Sequence, residues 1–368
     1  PLYYSSPLIS SSIIFPHFCA CSEQSPLNSL LRRNLPDKNE CLRFLTMGVS
    51  GDTSSTFFHD IKQVNPGTMI TVDPKTLVIT EKSLKRNIQK INLLQANEYD
   101  HEEHSLFLEE TLNDHLISDV PISSTLSGGV DSSYIASTSS KHFNRNLNCF
   151  TLTSDLFESE INKDSDLYKI DKLDVKLVSS SGFDYKSKIE NIVQKLGAPF
   201  LASWIHQDNL FEYIANTAKI KVVLIGEGAD EIYSGYKRLV YPYLYSLELD
   251  KEYELINSTI NSLTSFLGLS SQKILSNYSV FKSNLHSETD YEDYKYKDYF
   301  CFNTTEFNYE RYFPSISCFN QDSNKSSEFF YKSHLMQYLG RADIPCHLHT
   351  IDHLSMSYGL EARVPFID

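Results

Sequence analysis

The sequence predicts an α/β protein built on a doubly wound parallel sheet, and three observations carry that expectation. Short β-prone runs at residues 121–126, 148–152 and 221–225 alternate with segments of helical character at 101–117, 132–140 and 210–218. Two of the runs end directly in glycine-containing turns, the place where open parallel sheets hold their ligands. The chain before residue 81 reads differently, as short strands and turns, so a β-rich segment is expected ahead of the sheet.

In chain order, residues 1–73 alternate short apolar runs, such as 12–15 and 68–72, with Pro, Gly and Asn punctuation. From 74 to about 99 the text turns polar and rich in Lys, Asn and Gln, the character of a connection between domains. We therefore expect a first domain at 1–80, a linker at 81–100 and a second domain at 101–368. Leu108, Leu112 and Leu116 then recur at helical spacing among Asp and Glu, which predicts an amphipathic helix over 101–117. Residues 247–333 hold many Tyr, Ser and Asn and little clear period, and peripheral helices are expected there. The tyrosines at 291–299 read as a partly exposed face or an insertion, not as a platform for stacking bases.

Composition limits the function. Apolar residues make up 41% of the 368 and charged residues 22%, which is the balance of a packed globular protein. A formal net charge of −14 excludes the basic footprint of a duplex-binding protein, so no nucleic-acid partner is expected. It leaves a nucleotide open, because backbone N–H groups and a cation can hold a polyphosphate inside an acidic protein. Seven cysteines, Cys19, Cys21, Cys41, Cys149, Cys301, Cys318 and Cys346, form no Cys-x-x-Cys pair and read as reduced thiols in a cytoplasmic protein. The apolar stretch at 8–21 is broken by Ser, Pro and His, so neither a membrane span nor a signal peptide is expected. Neither Pro1 nor Asp368 reads as a natural terminus, and the chain is expected to be a fragment.

The chemistry is carried by two turns. Ser127-Gly128-Gly129-Val130-Asp131-Ser132-Ser133 stands between the strand at 121–126 and a helix. Adjacent glycines let the backbone approach a phosphate so that successive N–H groups meet anionic oxygens near a helix N-terminus, and three serines add hydroxyl donors. Asp131 suits such a site when a divalent cation bridges carboxylate and phosphate, which implies Mg²⁺. Neither G-x-x-x-x-G-K-[ST] nor G-x-G-x-x-G occurs, so kinase-like and dinucleotide readings lose support. About a hundred residues later Gly226-Glu227-Gly228-Ala229-Asp230-Glu231 follows the strand at 221–225 and runs on to Ser234-Gly235-Tyr236. Loops at the C-terminal ends of parallel strands meet in one crevice, so Asp131 and Asp230 are expected to share one cation.

The first of these runs resembles the signature of the N-type ATP pyrophosphatases, and with Asp119-Val120-Pro121 and Leu126 it resembles the asparagine synthetases in particular. The resemblance implies that Ser127, Gly128, Gly129, Asp131, Ser132 and Ser133 hold the pyrophosphate of ATP. It implies that Leu126, Leu152, Ile225 and Gly226 line the adenine slot, and that Asp131 and Asp230 bind Mg²⁺. Glu227 takes the place of the glutamate that assists proton removal from the attacking ammonia. The chemistry needs such a group, because an ammonium ion has no lone pair until a base removes a proton. The family often carries Ser where this chain has Ile225.

A third run, Gly359-Leu360-Glu361-Ala362-Arg363-Val364-Pro365-Phe366-Ile367-Asp368 with Asp352 and Ser355-Met356 before it, is similar to a further signature of the same family. Asp352, Glu361 and Arg363 are candidate substrate contacts, although an ion pair between Glu361 and Arg363 that fixes the loop is the preferred reading. The family often has Arg after the Asp that matches Asp352, whereas this chain has His353. Pro1-Leu2-Tyr3-Tyr4 and the text from Thr56-Phe57-Phe58 to Pro66-Gly67 resemble the last part of the family's glutaminase domain. That domain's amino-terminal cysteine nucleophile is expected upstream of Pro1, and a charge-neutralising lysine beyond Asp368.

The resemblance implies an ATP-dependent ligase that makes asparagine through β-aspartyl-AMP, with aspartate, ATP and glutamine-derived ammonia as its small-molecule partners. Two alternatives stay open. One is a related adenylating amide synthetase, of the β-lactam synthetase or lasso-peptide cyclase type; the other is a non-catalytic nucleotide-binding fragment. A homodimer stays open as a partner.

Overall fold

The computed structural model describes residues 1–5, 8–9, 14–15, 17–31, 35–48, 50–51, 53–84, 100–144, 146–153, 170, 172–182, 184–285 and 343–368. Most of the expected linker (85–99), the tyrosine cluster at 291–299, Cys301 and Cys318 lie outside the described residues. The chain divides into two compact units: Pro1–Glu40, Gly51–Ala229 and Cys346–Asp368 in the first, Cys41–Ser50 and Asp230–Pro345 in the second.

The N-terminal elements are β1 (Tyr3–Ser5), β2 (Leu8–Ile9), β3 (Ile14–Phe15), β4 (Cys19–Cys21), α1 (Gln24–Leu31), α2 (Lys38–Met47), β5 (Lys62–Gln63), β6 (Thr68–Val72) and β7 (Ile79–Ser83). β1 lies between β4 and β5 in an antiparallel sheet, and β6 pairs with β7. Tyr3, Leu27, Leu31 and Ile61 form their buried core. Strands and turns alone were expected here, and α1 and α2 correct that expectation. Pro26 stands in the first turn of α1, where a missing N–H costs nothing. Asp37, just after Pro36, accepts from the N–H groups of Asn39 and Glu40 at 2.9 and 3.1 Å and so opens α2. The punctuation that reads as turns marks helix starts.

The rest of the first unit holds α3 (His101–His115), β8 (Ile122–Thr125), α4 (Val130–Lys141), β9 (Leu147–Thr153), β10 (Leu173–Ser179), α5 (Tyr185–Leu196), α6 (Trp204–Glu212) and β11 (Val222–Leu224). The Asp100 carboxylate caps α3 by accepting from Glu102 N and Glu103 N. The strands expected at 121–126, 148–152 and 221–225 appear as β8, β9 and β11. The helical segment expected at 210–218 is the end of α6 continued by a π-helical stretch, Tyr213–Thr217.

After β11 come α7 (Ala229–Tyr233), α8 (Val240–Leu249), α9 (Tyr253–Leu267), α10 (Ser271–Leu285), α11 (Asp343–Met356) and β12 (Glu361–Arg363). One sheet orders its strands β10-β9-β8-β11-β12, every pair parallel. The strand order reverses between β8 and β11, since β9 and β10 build outward on one side and β12 on the other. Val222, Val223 and Leu224 are all buried, as expected of an inner parallel strand. β8 is polar yet central. Ser123 Oγ donates to Val222 O at 3.1 Å and Ser124 Oγ to Leu224 O at 3.4 Å, so the hydroxyls enter the interior satisfied by the neighbouring strand.

The second unit is helical over 240–285, which covers the first part of the stretch 247–333 where helices were expected, and 286–333 lie outside the described residues. Leu244, Ile256, Ile260, Ile274, Tyr278 and Phe281 make its core. Lys282 Nζ reaches Glu248 at 2.8 Å, and the Tyr278 hydroxyl donates to the same carboxylate at 2.5 Å.

Candidate active site

A cavity of about 430 Å³ opens at the C-terminal ends of β8, β9 and β11, beside the point where strand order reverses. In an open parallel sheet that crevice is the ligand position. Its apolar wall is Leu126, Phe150, Leu152, Leu210 and Ile225, and its polar wall is Thr125, Ser127, Gly129, Asp131, Ser132, Gln207 and Glu227, with Gly226 between them.

The loop after β8 has its shape for local reasons. Gly128 sits at φ +95°, where a Cβ would be strained, and Gly129 caps α4 in an extended conformation without a side chain. The serines tie the loop to itself: Ser127 N donates to Ser132 Oγ at 3.1 Å, Gly129 N to Ser127 Oγ at 3.2 Å, and the two hydroxyls lie 3.1 Å apart. α4 therefore brings the N–H groups of its first turn, and the Asp131 side chain with them, beside the cavity. Ser133 Oγ is buried and has no hydrogen-bond partner among the described residues.

Gly226 ends the neighbouring strand. A Cβ there would stand 3.1 Å from Asp131 Cβ and 3.1 Å from Ser132 N, so only glycine lets the two loops touch without a shift. The sheet thus brings residues 127–132 and 226–227 to one cavity from positions about a hundred apart in sequence. Gly128 and Ser133 are not among the lining residues. Asp230 opens the second unit, where its carboxylate packs so tightly on Gly235 that no Cβ fits at that glycine.

The donor set fits a nucleotide. An apolar wall suits a flat base, a helix N-terminus with two serine hydroxyls suits the anionic tail, and Asp131 beside them would repel phosphate unless a cation intervened.

Glu227 is met by a residue the sequence reading passed over. His347 Nδ1, on α11, donates to Glu227 Oε1 at 2.5 Å, and both side chains are about a quarter exposed. The His347 ring lies 5.5 Å from that of Trp204, edge to face. Thr125, Phe150, Gln207 and Leu210 were also missed. Phe150 had a signal, since it lies two residues before Leu152 on β9 and so shares its face.

The third motif does not line the cavity. Arg363 Nε donates to Glu361 Oε1 at 2.7 Å, and its Nη1 donates to the carbonyls of His115 and Ile117 at 2.6 and 2.8 Å. The side chain closes the C-terminal end of α3, whose carbonyls have no helical partner. The Asp352 side chain is half exposed.

The Tyr358 hydroxyl donates to Asp208, a fully buried carboxylate that also holds Lys188 at 2.6 Å and Lys195 at 3.0 Å. Burial and the Asp208 charge raise the Tyr358 phenol above its ordinary pKa. This cluster anchors α6, the helix that gives Gln207 and Leu210 to the cavity.

His353 is buried, and its Nδ1 donates to His349 O at 2.8 Å. The rings of His349 and His353 stack 4.3 Å apart, and Tyr3 Oη bonds His349 Nε2 while lying 3.3 Å from His353 Nε2. Burial, then the neighbouring His353, lowers the His349 pKa to about 3. Burial likewise lowers that of His353 and raises that of Tyr3.

Cys19, Cys21 and Cys149 stand as thiols, and burial pushes Cys149 up to about 12. Among the described residues no helix is long and apolar enough to cross a membrane.

Two comparisons bear on this arrangement. The chain is 26% identical over 245 residues to the asparagine synthetase [glutamine-hydrolyzing] 1 of Bacillus subtilis (strain 168), a match that covers 64% of this chain and 36% of the relative. The chain thus spans only about a third of the length of that curated relative. The family model described as asparagine synthase matches residues 105–368, the stretch that contains the parallel sheet and all three motifs, so the chain belongs to the asparagine synthase family.

Proposed function

We propose that this chain carries the synthetase site of an ATP-dependent ligase that converts aspartate to asparagine through β-aspartyl-AMP, using ammonia drawn from glutamine. Family membership supports ATP-dependent amide ligation. The observation that carries the reading is the single cavity in which the Ser127–Ser132 loop, an apolar slot and Glu227 face one another.

In this reading Leu126, Phe150, Leu152 and Ile225 receive the adenine, and Ser127, Ser132 and the first N–H groups of α4 receive the phosphates. Asp131 and Asp230 would hold Mg²⁺, which offsets phosphate charge when bound. Glu227 accepts the proton that ammonia releases on attack. The N-terminal strands belong to the end of a glutaminase domain at 1–80, followed by a linker at 81–100 and the synthetase domain at 101–368. A cytoplasmic setting accords with the reduced thiols.

The test is pyrophosphate release by the full-length protein, with ATP, Mg²⁺ and ammonium, over a panel of carboxylates. Aspartate should be the substrate; turnover that does not require aspartate overturns the assignment in favour of another adenylating amide synthetase. Asp131→Ala and Asp230→Ala should each abolish Mg²⁺-dependent ATP binding in a calorimetric titration, and unchanged binding in both removes the proposed metal site.

A further inference from the structure

We infer that His347 is a positioning residue for Glu227: it holds one carboxylate oxygen so that the other is presented to the incoming nitrogen nucleophile. This rests on the ligase reading above and adds a residue to it.

Three observations carry the inference. First, Glu227 lines the cavity, and His347 Nδ1 at 2.5 Å is the partner of its carboxylate among the described residues. Glu227 stands on a loop between two glycines, and Gly228 just after it adopts φ +97°, so the backbone there does not restrict it as a helix or strand would. One short charge-assisted hydrogen bond at Oε1 is what aims Oε2. Second, the histidine is itself held. It projects from α11, a regular helix of 14 residues, and its ring packs edge to face on Trp204 at the start of α6. α6 is in turn held by the contacts of Asp208 with Lys188, Lys195 and Tyr358. Third, His347 is not a lining residue. It touches the cavity through Glu227, which is the geometry of an orienting group and not of a ligand contact.

The step it serves is amide formation. The nitrogen lone pair of ammonia forms the new bond to the acyl carbon of the adenylate. The bond from that carbon to the phosphate oxygen breaks, and its electron pair leaves with AMP. The surplus proton on nitrogen passes to Glu227. Carboxylate activation by ATP precedes this transfer and needs no base at Glu227, so the two half-reactions separate the role of His347 from general damage to the site.

The experiment uses the full-length enzyme with ammonium as nitrogen source and aspartate as carboxylate. ATP–pyrophosphate exchange reads activation, and asparagine appearance reads amide formation. His347→Ala should lower kcat for amide formation by on the order of tenfold to a hundredfold, a share of what a positioned base contributes. Exchange, and KM for ATP, should change by no more than about twofold, as expected when an interaction serves one step only. His347→Asn, which restores a donor near the carboxylate, should recover a measurable part of the loss. Equal amide formation by His347→Ala and the parent overturns the inference, as does a parallel loss in both half-reactions with no recovery in His347→Asn, which marks a structural role. Absence of exchange in the parent with every carboxylate tried is a different failure: it removes the ligase reading, and this inference with it.

Discussion

Acid should weaken the first unit through His349. Its ring stacks on the buried His353 and bonds the buried Tyr3, and desolvation lowers its pKa from the ordinary 6.5 to about 3. The folded protein therefore refuses a proton that the unfolded chain accepts between those two values. Above pH 6.5 the contribution is fully present; below it, stability falls with pH until the folded value near 3 is passed. The slope for one such group is about 1.4 kcal/mol per pH unit, so a step from 6.5 to 5 costs about 2 kcal/mol. His353, shifted the same way by burial, adds to it. Urea denaturation midpoints at pH 7 and pH 5 measure the effect. The control is His349→Gln, which keeps a polar partner for Tyr3 but cannot titrate in this range and should lose much of the pH dependence. An identical pH dependence in parent and variant refutes the argument.

Three further outcomes follow from contacts already described. Gly226→Ala places a Cβ 3.1 Å from Asp131 Cβ and Ser132 N; overpacking of this kind costs about 1–3 kcal/mol, and the ATP dissociation constant, read by titration, should rise as the two loops separate. Arg363→Ala leaves the carbonyls of His115 and Ile117 without their donor, so thermal unfolding should show a loss of about 1–3 kcal/mol even though ATP contacts are untouched. Asp208→Ala removes the fully buried carboxylate that Lys188, Lys195 and the Tyr358 hydroxyl share, leaving Lys188, among the described residues, only the half-exposed Glu212; a destabilisation of about 3–5 kcal/mol is expected in denaturant unfolding, and a value below about 1 kcal/mol would show that the cluster does not anchor α6.

Much of this architecture was legible because the informative features are local. A strand that runs into Ser127-Gly128-Gly129 and on into a helix declares its own turn chemistry, and the strands at 122–125, 147–153 and 222–224 carry enough β-prone residues to be placed within a residue or two. β10 was passed over although Leu173, Val175 and Leu177 alternate with Asp174 and Lys176, a pattern of period two that a closer count would have found. α1 and α2 were hidden by their own beginnings. Pro26 and the Pro36-Asp37 pair punctuate the chain as turns do, and only the side-chain hydrogen bonds of Asp37 reveal that a helix follows.

The residues that escaped the sequence reading share a different property. His347 meets Glu227 across 120 positions and Tyr358 meets Asp208 across 150, and neither pairing leaves a periodicity, a spacing or a turn in the text. A loop that binds through backbone groups must spell out its glycines, because no other residue permits the same φ. A side chain that orients another must only arrive at the right place, and the fold chooses which residue does so. The two kinds of site information therefore fail independently. Changing Gly128 damages the loop through its own backbone conformation, whereas the role assigned to His347 survives only while α11 keeps its register on Trp204, and a variant that shifts that helix should mimic His347→Ala without touching either partner.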